Sequence, residues 1–351
     1  MSPRFQTLID QASRLSRPDR LQAATQAIQR ALQSANLPMP GGLAAGSATR
    51  PFFDAPMTPA TSTATRGADD ARFVSATHRA AGLQRDYKLF SPSTQPEGRR
   101  PLVVMLHGCK QNPDDFAAGT ALNAAAEAEG FYVLYPGQSD QANPQRCWNW
   151  FKHNHQARGR GEPALIADMA RNAAGRLPID PDRIYIAGLS AGGAMAVVCA
   201  DAYPDVFAAV GVHSGLPTGV AADLPSALAA MRSGPAVRPI ATPASGMPTI
   251  VFHGDADGVV HPANGDAIFE RSVGSAATVQ TERVNKGGRS CTRRFVLGAE
   301  GQLLAEQWRI HGASHAWSGG SASGSYTDGR GPSASAEMMR FFAGHRRARL
   351  T

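Results

Sequence analysis

The sequence predicts an α/β fold, a mostly parallel β-sheet with helices on both faces, and two observations predict it. From about residue 80, short apolar runs alternate with segments of helical periodicity for roughly 250 residues. Several of these runs are apolar throughout, as is typical of strands buried on both faces of a parallel sheet. A chain of 351 residues that is 42% hydrophobic is long enough for one such domain and a further segment.

The candidate strands and helices follow one another along this stretch. Seven short segments are predicted to be strands, at residues 86–90, 102–106, 131–135, 183–187, 208–212, 249–252 and 306–310. Five segments with apolar residues at helical spacing are predicted to be helices, at residues 115–129, 163–176, 191–203, 263–273 and 334–342. This alternation places an α/β domain at residues 80–345.

The part of the chain that precedes this domain has a different composition. Apolar residues at helical spacing predict a helical segment over residues 1–36. Residues 37–79 are rich in Pro, Gly, Ser and Thr, which is typical of a linker. We therefore expect an N-terminal helical appendage that either docks on a granule surface or partner or packs against the α/β domain.

The charge balance is basic but does not indicate a nucleic-acid partner. Lys and Arg (35) outnumber Asp and Glu (28), which gives a net charge of +7. The excess is scattered, apart from a cluster near the C-terminal end, and no nucleic-acid-binding module is recognisable. The basic tail is expected to be a solvated surface.

The sequence predicts neither a membrane span nor a secretory signal. A run of about 18 or more apolar residues would indicate a transmembrane helix, and the sequence contains none. Residues 1–20 lack the apolar core of a signal peptide. A cytoplasmic location is therefore expected, with secretion left open.

The most informative segment is the G-x-S-x-G motif at residues 188–192. It follows the apolar run at residues 183–187 and precedes an Ala-rich helical segment. This order is typical of the α/β-hydrolase fold, in which a sharp strand-to-helix turn exposes a nucleophilic serine. Gly188 and Gly192 lack the side chains that would collide in that turn. Ser190 is therefore the candidate nucleophile, and a serine in an ordinary loop is the alternative.

A second strand ends in a His-Gly turn, at residues 106–111. In this fold the loop after such a strand supplies one backbone N–H to an oxyanion hole, and the residue after the nucleophile supplies another. These donors are expected to be Cys109 and Ala191. His107 is expected to hold the loop in shape rather than to act in catalysis. Cys109 as a nucleophile is the rival, but it lacks the strand-to-helix turn.

The acid and the base are expected after the nucleophile, in that order. Asp255 and Asp257 both follow the apolar run at residues 249–252, and the apolar residues after Asp257 favour it as the buried acid. Asp255 is expected to shape the turn. His315, just after the last strand, is preferred as the base over His311, although further histidines are present at positions 213, 253 and 261.

The four cysteines are Cys109, Cys147, Cys199 and Cys291. None forms a C-x-x-C pair, so a zinc or redox motif is not indicated. Cys199 lies in an apolar helical segment and is expected to be a buried thiol. A disulfide between Cys109 and Cys147 is left open, because it would be unusual in the cytoplasm.

Five motifs in one order resemble the poly(3-hydroxybutyrate) depolymerase family of esterases, near the feruloyl and acetylxylan esterases. They lie at residues 106–111, 147–151, 188–193, 253–257 and 312–320, within a resemblance that spans about residues 84–343. The resemblance implies an α/β-hydrolase fold and a catalytic triad of Ser190, Asp257 and His315. It also supports Cys109 as an oxyanion-hole donor.

Three of the four tryptophans fall in loops beside the candidate site. Trp148, Trp150 and Trp317 are predicted to bind substrate, because aromatic walls suit an apolar acyl chain or a phenyl ring. The alternative is that one or two of them pack in the core.

The predicted function is hydrolysis of carboxylic esters by a serine esterase through an acyl-enzyme. The expected substrates are short-chain hydroxyalkanoate esters or oligomers of the poly(3-hydroxybutyrate) type, with feruloyl or acetylxylan esters of plant polysaccharides as the alternative. An acyltransferase and a non-catalytic binding protein on the same fold are the alternatives of other classes. The chemistry requires no metal and no organic cofactor. The sequence does not predict an oligomeric state.

Overall fold

The structure is a computed structural model that describes residues 72–93, 98–236, 246–273 and 278–347. The helical segment predicted at residues 1–36 and most of the linker predicted at residues 37–79 lie outside the described residues. Strand β1 (Phe73–Ala80) occupies the last residues of the predicted linker. β1 pairs along its whole length with the next strand, so residues 73–79, which were predicted to be linker, belong to the sheet.

The remaining strands and helices follow β1 along the chain. The strands are β2 (Leu83–Phe90), β3 (Arg100–Leu106), β4 (Tyr132–Pro136), β5 (Ile179–Leu189), β6 (Ala209–His213), β7 (Thr249–Gly254), β8 (Gln280–Lys286), β9 (Arg289–Leu297), β10 (Leu303–Ile310) and the short pair β11 (Trp317–Ser318) and β12 (Thr327–Asp328). The helices are α1 (Pro113–Thr120), α2 (Leu122–Glu129), α3 (Gly161–Arg176), α4 (Ala191–Ala202), α5 (Leu224–Ser233), α6 (Ala263–Val273) and α7 (Ala334–Ala343). From β3 to β7 the strands and helices alternate as the pattern predicts, whereas β8, β9 and β10 follow one another without a helix between them.

Ten strands form one sheet in the order β1-β2-β4-β3-β5-β6-β7-β10-β9-β8. The six strands from β4 to β10 in this order are parallel, and antiparallel strands extend the sheet at both ends. The carboxyl ends of the six parallel strands therefore meet at one edge of the sheet, where open α/β sheets bind their ligands.

Two apolar clusters fill the space between the sheet and its helices. Along β3, Leu102, Val104 and Leu106 belong to one cluster and Val103 and Met105 to the other, because successive side chains of a strand point to opposite faces. Helices α3 to α6 contribute to the first cluster, and helices α1, α2 and α7 to the second. The predicted fold class, a mostly parallel sheet covered on both faces, is confirmed.

The structure differs from the predicted elements where the apolar signal is weak. Strands β1, β8 and β9 and the short pair β11 and β12 were not predicted. Six of the seven residues of β8 are exposed, so its sequence carries no apolar run. The helix predicted at residues 115–129 is two helices, separated at Ala121, whose φ is 50°. Alanine is a strong helix former, so the local sequence does not mark this break. Helix α5 was also not predicted, although Asp223 caps its N-terminus.

In the ranges that the structure describes, no helix combines the length and the apolar character needed to cross a bilayer.

Candidate active site

Three predicted site residues lie at the carboxyl edge of the parallel strands. Ser190 follows β5, Asp257 lies in the loop after β7, and His315 lies in the loop after β10. Strand β6 separates β5 from β7, and β10 pairs directly with β7. The sheet order thus explains how residues separated by up to 125 positions reach one edge.

Ser190 occupies the turn that joins β5 to α4. Its backbone has φ 57° and ψ −119°, a conformation that residues other than glycine rarely adopt. It costs free energy and persists only where the surrounding structure enforces it. The Ser190 N–H donates a hydrogen bond to the carbonyl of His213, at 2.9 Å. The residue is 8% exposed, so its neighbours cover almost all of it.

Gly188 and Gly192 let this turn form against its neighbours. A Cβ on Gly188 would lie 2.4 Å from the carbonyl carbon of Gly192, and a Cβ on Gly192 would lie 2.0 Å from the carbonyl oxygen of Leu106. Both distances are shorter than any normal contact. The turn therefore requires glycine at both positions, for close approach rather than for a left-handed backbone.

Asp257, which is buried, and His315, which is partly buried, form a hydrogen-bonded pair. Nδ1 of His315 lies 2.8 Å from Oδ2 of Asp257, while Oδ1 accepts the N–H groups of Val259 and Val260, each at 2.9 Å. Burial raises the pKa of Asp257, but hydrogen bonds from His253 and His315 outweigh burial and hold this pKa far below its ordinary value. Asp257 is therefore a carboxylate at any physiological pH.

The two residues that competed for the acid and base roles are paired with each other. Nδ1 of His311 lies 2.7 Å from Oδ2 of Asp255, and Oδ1 of Asp255 accepts the N–H of Gly312, also at 2.7 Å. The Nε2 atom of His311 lies 2.9 Å from Oγ1 of Thr292 on β9. Asp255 therefore binds the start of the loop that carries His315.

The loop after β3 lies against the nucleophile. A Cβ on Gly108 would lie 3.7 Å from the Cβ of Ser190. Within the described ranges, the N–H of Cys109 donates to no protein acceptor. Ala191 is the first residue of α4, so its N–H has no intrahelical acceptor either. Two N–H groups are thus left for a ligand beside Ser190.

Gln111 fixes the shape of this loop, a role that sequence reasoning missed. Its Oε1 accepts the N–H of Gly108 at 2.9 Å, and its Nε2 donates to Asp115 at 3.0 Å and to the carbonyl of Ser325 at 3.1 Å. The side chain is 1% exposed. Gln111 belongs to the predicted motif at residues 106–111, and this position was the signal by which the sequence could have indicated its role.

A disulfide joins the loop after β3 to the loop after β4. Cys109 and Cys147 are bonded with an S–S distance of 2.00 Å, which answers the question that the sequence left open. The neighbouring Lys110 N–H also donates to the carbonyl of Gln145, at 2.7 Å. The residue predicted to bind the oxyanion is therefore held covalently. Cys199 and Cys291 are buried free thiols.

His107 is a structural residue in this arrangement. Its Nε2 accepts the N–H of Gln138 at 3.0 Å, so its Nδ1 carries the proton, which it donates to the carbonyl of Gly108 at 2.7 Å. Burial lowers the pKa of His107 to about 4. A neutral imidazole that is bonded at both nitrogens holds the loop in shape.

A buried carboxylate, also missed by sequence reasoning, anchors the motif at residues 147–151. Glu162 is fully buried and accepts both the N–H and the side-chain amide of Asn149, each at 2.7 Å. It also accepts Nε2 of Gln138 at 2.6 Å, and Nη2 of Arg85 lies 3.3 Å away. The positive charge of Arg85 and the hydrogen-bond donors of Asn149 and Gln138 compensate for the free-energy cost of burying the carboxylate.

The three tryptophans do not form the predicted substrate wall. Trp148, Trp150 and Trp317 are 0%, 5% and 1% exposed, so all three pack in the core, whereas the alternative allowed for one or two of them. Trp148 lies against His107, with ring centroids 5.8 Å apart, and Trp317 stacks on His213 at 5.2 Å. Trp148 and Trp317 therefore pack against residues next to the site, and their indole rings bury a large apolar area there.

The described residues contain no group of three or more His, Cys, Asp or Glu side chains arranged to hold a metal ion.

Comparison with known proteins shows the family to which the chain belongs. The family described as Esterase PHB depolymerase matches residues 85–291, which include Ser190 and Asp257. The chain belongs to this family. His315 lies beyond the matched residues, so its assignment depends on the geometry of the site.

Individual relatives agree with this family. The chain is 35% identical to poly(3-hydroxyalkanoate) depolymerase C of Paucimonas lemoignei over 235 residues, which are 64% of this chain and 56% of that protein. It is 35% identical to feruloyl esterase B of Thermothelomyces thermophilus over 128 residues, 36% of this chain and 43% of that protein. This chain thus spans about half the length of these relatives.

A solved structure shows the fold. The acetyl xylan esterase from Aspergillus awamori superimposes with a TM-score of 0.55 at 18% identity, over 74% of this chain and 94% of that chain. Together with the sheet order, this similarity confirms the predicted α/β-hydrolase fold.

Proposed function

We propose that this protein is a serine esterase that hydrolyses carboxylic esters through an acyl-enzyme on Ser190. The observation that carries the proposal is the placement of a serine on a strained strand-to-helix turn at the same sheet edge as the hydrogen-bonded Asp257–His315 pair. Membership in a family of esterases supports it.

In the first step, the Oγ of Ser190 attacks the ester carbonyl while Nε2 of His315 takes its proton. The Asp257 hydrogen bond to Nδ1 leaves Nε2 as the free base and stabilises the imidazolium that forms. The tetrahedral oxyanion accepts the N–H groups of Cys109 and Ala191, a pair of donors that need no reorganisation at the moment of reaction.

In the second step, the tetrahedral intermediate collapses and the alcohol leaves with the proton from His315. Water then attacks the acyl-enzyme, again with His315 as the base, and the acid is released from Ser190. The partial positive charge at the N-terminus of α4 favours both oxyanions, because Ala191 is the first residue of that helix.

For the substrate, we propose short-chain hydroxyalkanoate esters or oligomers of the poly(3-hydroxybutyrate) type. The relative in Paucimonas lemoignei is a poly(3-hydroxyalkanoate) depolymerase, and its match covers more of this chain than that of feruloyl esterase B. The feruloyl and acetylxylan esterases among the relatives favour esters of plant polysaccharides as the second candidate.

The test is hydrolysis of p-nitrophenyl butyrate by the purified protein and by Ser190→Ala, with a feruloyl ester and a suspension of poly(3-hydroxybutyrate) alongside. We expect the wild type to release p-nitrophenol and Ser190→Ala to fall to the uncatalysed rate. Full activity of the variant would remove Ser190 from the mechanism. Inactivity of both proteins on every ester would favour a non-catalytic binding protein.

An added alcohol distinguishes hydrolysis from acyl transfer. With glycerol or methanol in the assay, an esterase forms mainly the free acid, whereas an acyltransferase with the same triad forms mainly the new ester. Product analysis by mass spectrometry separates the two outcomes.

We further propose that the protein functions in an oxidising compartment. The Cys109–Cys147 disulfide lies beside the nucleophile, and structural disulfides persist outside the reducing cytoplasm. This proposal replaces the cytoplasmic location expected from the composition of residues 1–20. Alkylation of free thiols in cell fractions, followed by mass analysis of the Cys109 peptide, tests it.

A further inference from the structure

His213 is the last residue of β6, the strand that lies between the nucleophile strand β5 and the acid strand β7. In the sheet it pairs with Leu189 on one side and with Phe252 on the other. Its side chain is 1% exposed. A histidine at this place contacts the backbone of the nucleophile turn directly.

The backbone and the side chain of His213 bind two different parts of the site. Its carbonyl oxygen accepts the N–H of Ser190, at 2.9 Å. Its Nε2 accepts the N–H of Ser318, at 3.0 Å. Ser318 lies three residues after His315, so one residue connects the nucleophile turn to the loop that carries the base.

We infer that His213 is a positioning residue that sets His315 relative to Ser190. The inference rests on the esterase function proposed above and adds to it a residue outside the triad. His213 contacts neither the substrate nor the reacting atoms in this account, and it acts through Ser318 and the strand-to-helix turn.

Several features make this connection rigid. Because Nε2 accepts a backbone N–H, the proton of the neutral ring lies on Nδ1, which donates to Oγ of Ser214 at 3.2 Å. The ring is stacked between Phe252 and Trp317, with centroid distances of 5.8 and 5.2 Å. Burial, together with the neighbouring His253 and His315, lowers the pKa of His213 to about 3, so the ring stays neutral.

The loop that carries His315 is thus held at both ends. Asp255 binds His311 and Gly312 before the base, and His213 binds Ser318 after it. A displacement of about 1 Å at a catalytic group can cost about 100-fold in rate. Loss of either anchor is therefore expected to lower kcat more than it changes KM.

The test compares two substitutions of His213 with a matched control. His213→Phe keeps an aromatic ring but leaves the Ser318 N–H without an acceptor. His213→Gln restores an acceptor, because the glutamine Oε1 reaches about as far as the imidazole Nε2. His345→Phe is the control, since His345 is also buried and lies against Phe341, and its Nε2 has no hydrogen-bond partner among the described residues.

We expect His213→Phe to lower kcat on p-nitrophenyl butyrate by about tenfold or more with KM nearly unchanged, because the base is displaced. His213→Gln should recover most of that loss, and His345→Phe should leave kcat unchanged. The rate at which diisopropyl fluorophosphate labels Ser190 should follow the same order, because labelling requires the base but not the substrate site.

Equal kcat for His213→Phe and wild type would overturn the inference, as would equal losses in His213→Phe and His213→Gln proteins of wild-type melting temperature. Either result would leave the esterase function standing, because the wild type would still hydrolyse the ester. A wild type that neither hydrolyses esters nor reacts with the fluorophosphate would instead overturn the proposed function.

Discussion

His315 and Asp257 are 58 residues apart in the sequence, yet Nδ1 of the imidazole lies 2.8 Å from Oδ2 of the carboxylate. The second oxygen of Asp257 accepts the N–H groups of Val259 and Val260. The loop that carries Asp257 therefore fixes the orientation of the carboxylate independently of the hydrogen bond to His315. In this geometry Asp257 can impose one tautomer on His315.

Asp257→Asn is expected to lower kcat by about 10³- to 10⁴-fold, because an amide no longer holds the proton of His315 on Nδ1. The control is Asp255→Asn, the same substitution at the aspartate two residues earlier, which is hydrogen-bonded to His311. We expect this control to lose about tenfold at most. Steady-state hydrolysis of p-nitrophenyl butyrate measures both, and equal losses would contradict the assignment of Asp257.

The Cys109–Cys147 disulfide is expected to stabilise the fold and to hold the oxyanion loop. It closes a loop with a sequence separation of 38, for which chain entropy predicts about 4 kcal/mol. The double variant Cys109→Ser with Cys147→Ser should lose about this much free energy of unfolding in urea, and its kcat should fall.

Dithiothreitol supplies the control for this prediction. Reduction should lower the activity of the wild type and leave the double variant unchanged. Equal stability of the oxidised and reduced wild type would show that the disulfide does not contribute as described.

The free energy of unfolding should depend on pH, because His107 is buried as a neutral imidazole. The pKa of His107 is lowered by burial from 6.5 to about 4, so the unfolded chain takes up this proton first as the pH falls. Stability from His107 is therefore fully present above about pH 6.5 and is lost toward pH 4, by about 3 kcal/mol. Unfolding in urea between pH 4.5 and 7 measures it.

His107→Gln is the variant that isolates this contribution, because glutamine can accept the Gln138 N–H without titrating. Its free energy of unfolding should fall less steeply with acid than that of the wild type. His261→Gln is the control, since His261 is exposed and should keep the wild-type slope. An unchanged slope in His107→Gln would contradict this account.

Glu162→Gln is expected to destabilise the fold by about 3–5 kcal/mol. Glutamine would place an amide beside donors from Asn149 and Gln138 and would leave Arg85 without its opposite charge. The exposed Glu129→Gln is the control and should change the free energy of unfolding by about 0.5 kcal/mol at most. Thermal and urea unfolding measure both variants.

The sequence predicted the central part of the fold because parallel strands buried on both faces are apolar throughout, as at residues 102–106. The outermost strands β1, β8 and β9 were missed, because a mostly exposed strand such as β8 carries mostly polar residues. The break at Ala121 could not be foreseen, since alanine favours a continuous helix.

The site was predictable where chemistry fixes both residue type and position. The turn at Ser190 needs its two glycines, and the order of acid and base follows from the fold. Residues that act by hydrogen bonds between distant loops, such as Glu162 and His213, give no local signal. The tryptophans were assigned to the substrate because they lie near the candidate motifs and aromatic walls suit an apolar ester group, but their side chains are buried.

The most direct test of the central claim is covalent labelling of the nucleophile with diisopropyl fluorophosphate, followed by intact-mass analysis and peptide mapping. We predict one adduct per chain, located on Ser190, with a parallel loss of esterase activity and no adduct on Ser190→Ala. An adduct on another residue, or complete loss of activity without modification of Ser190, would contradict the assignment of Ser190 as the nucleophile.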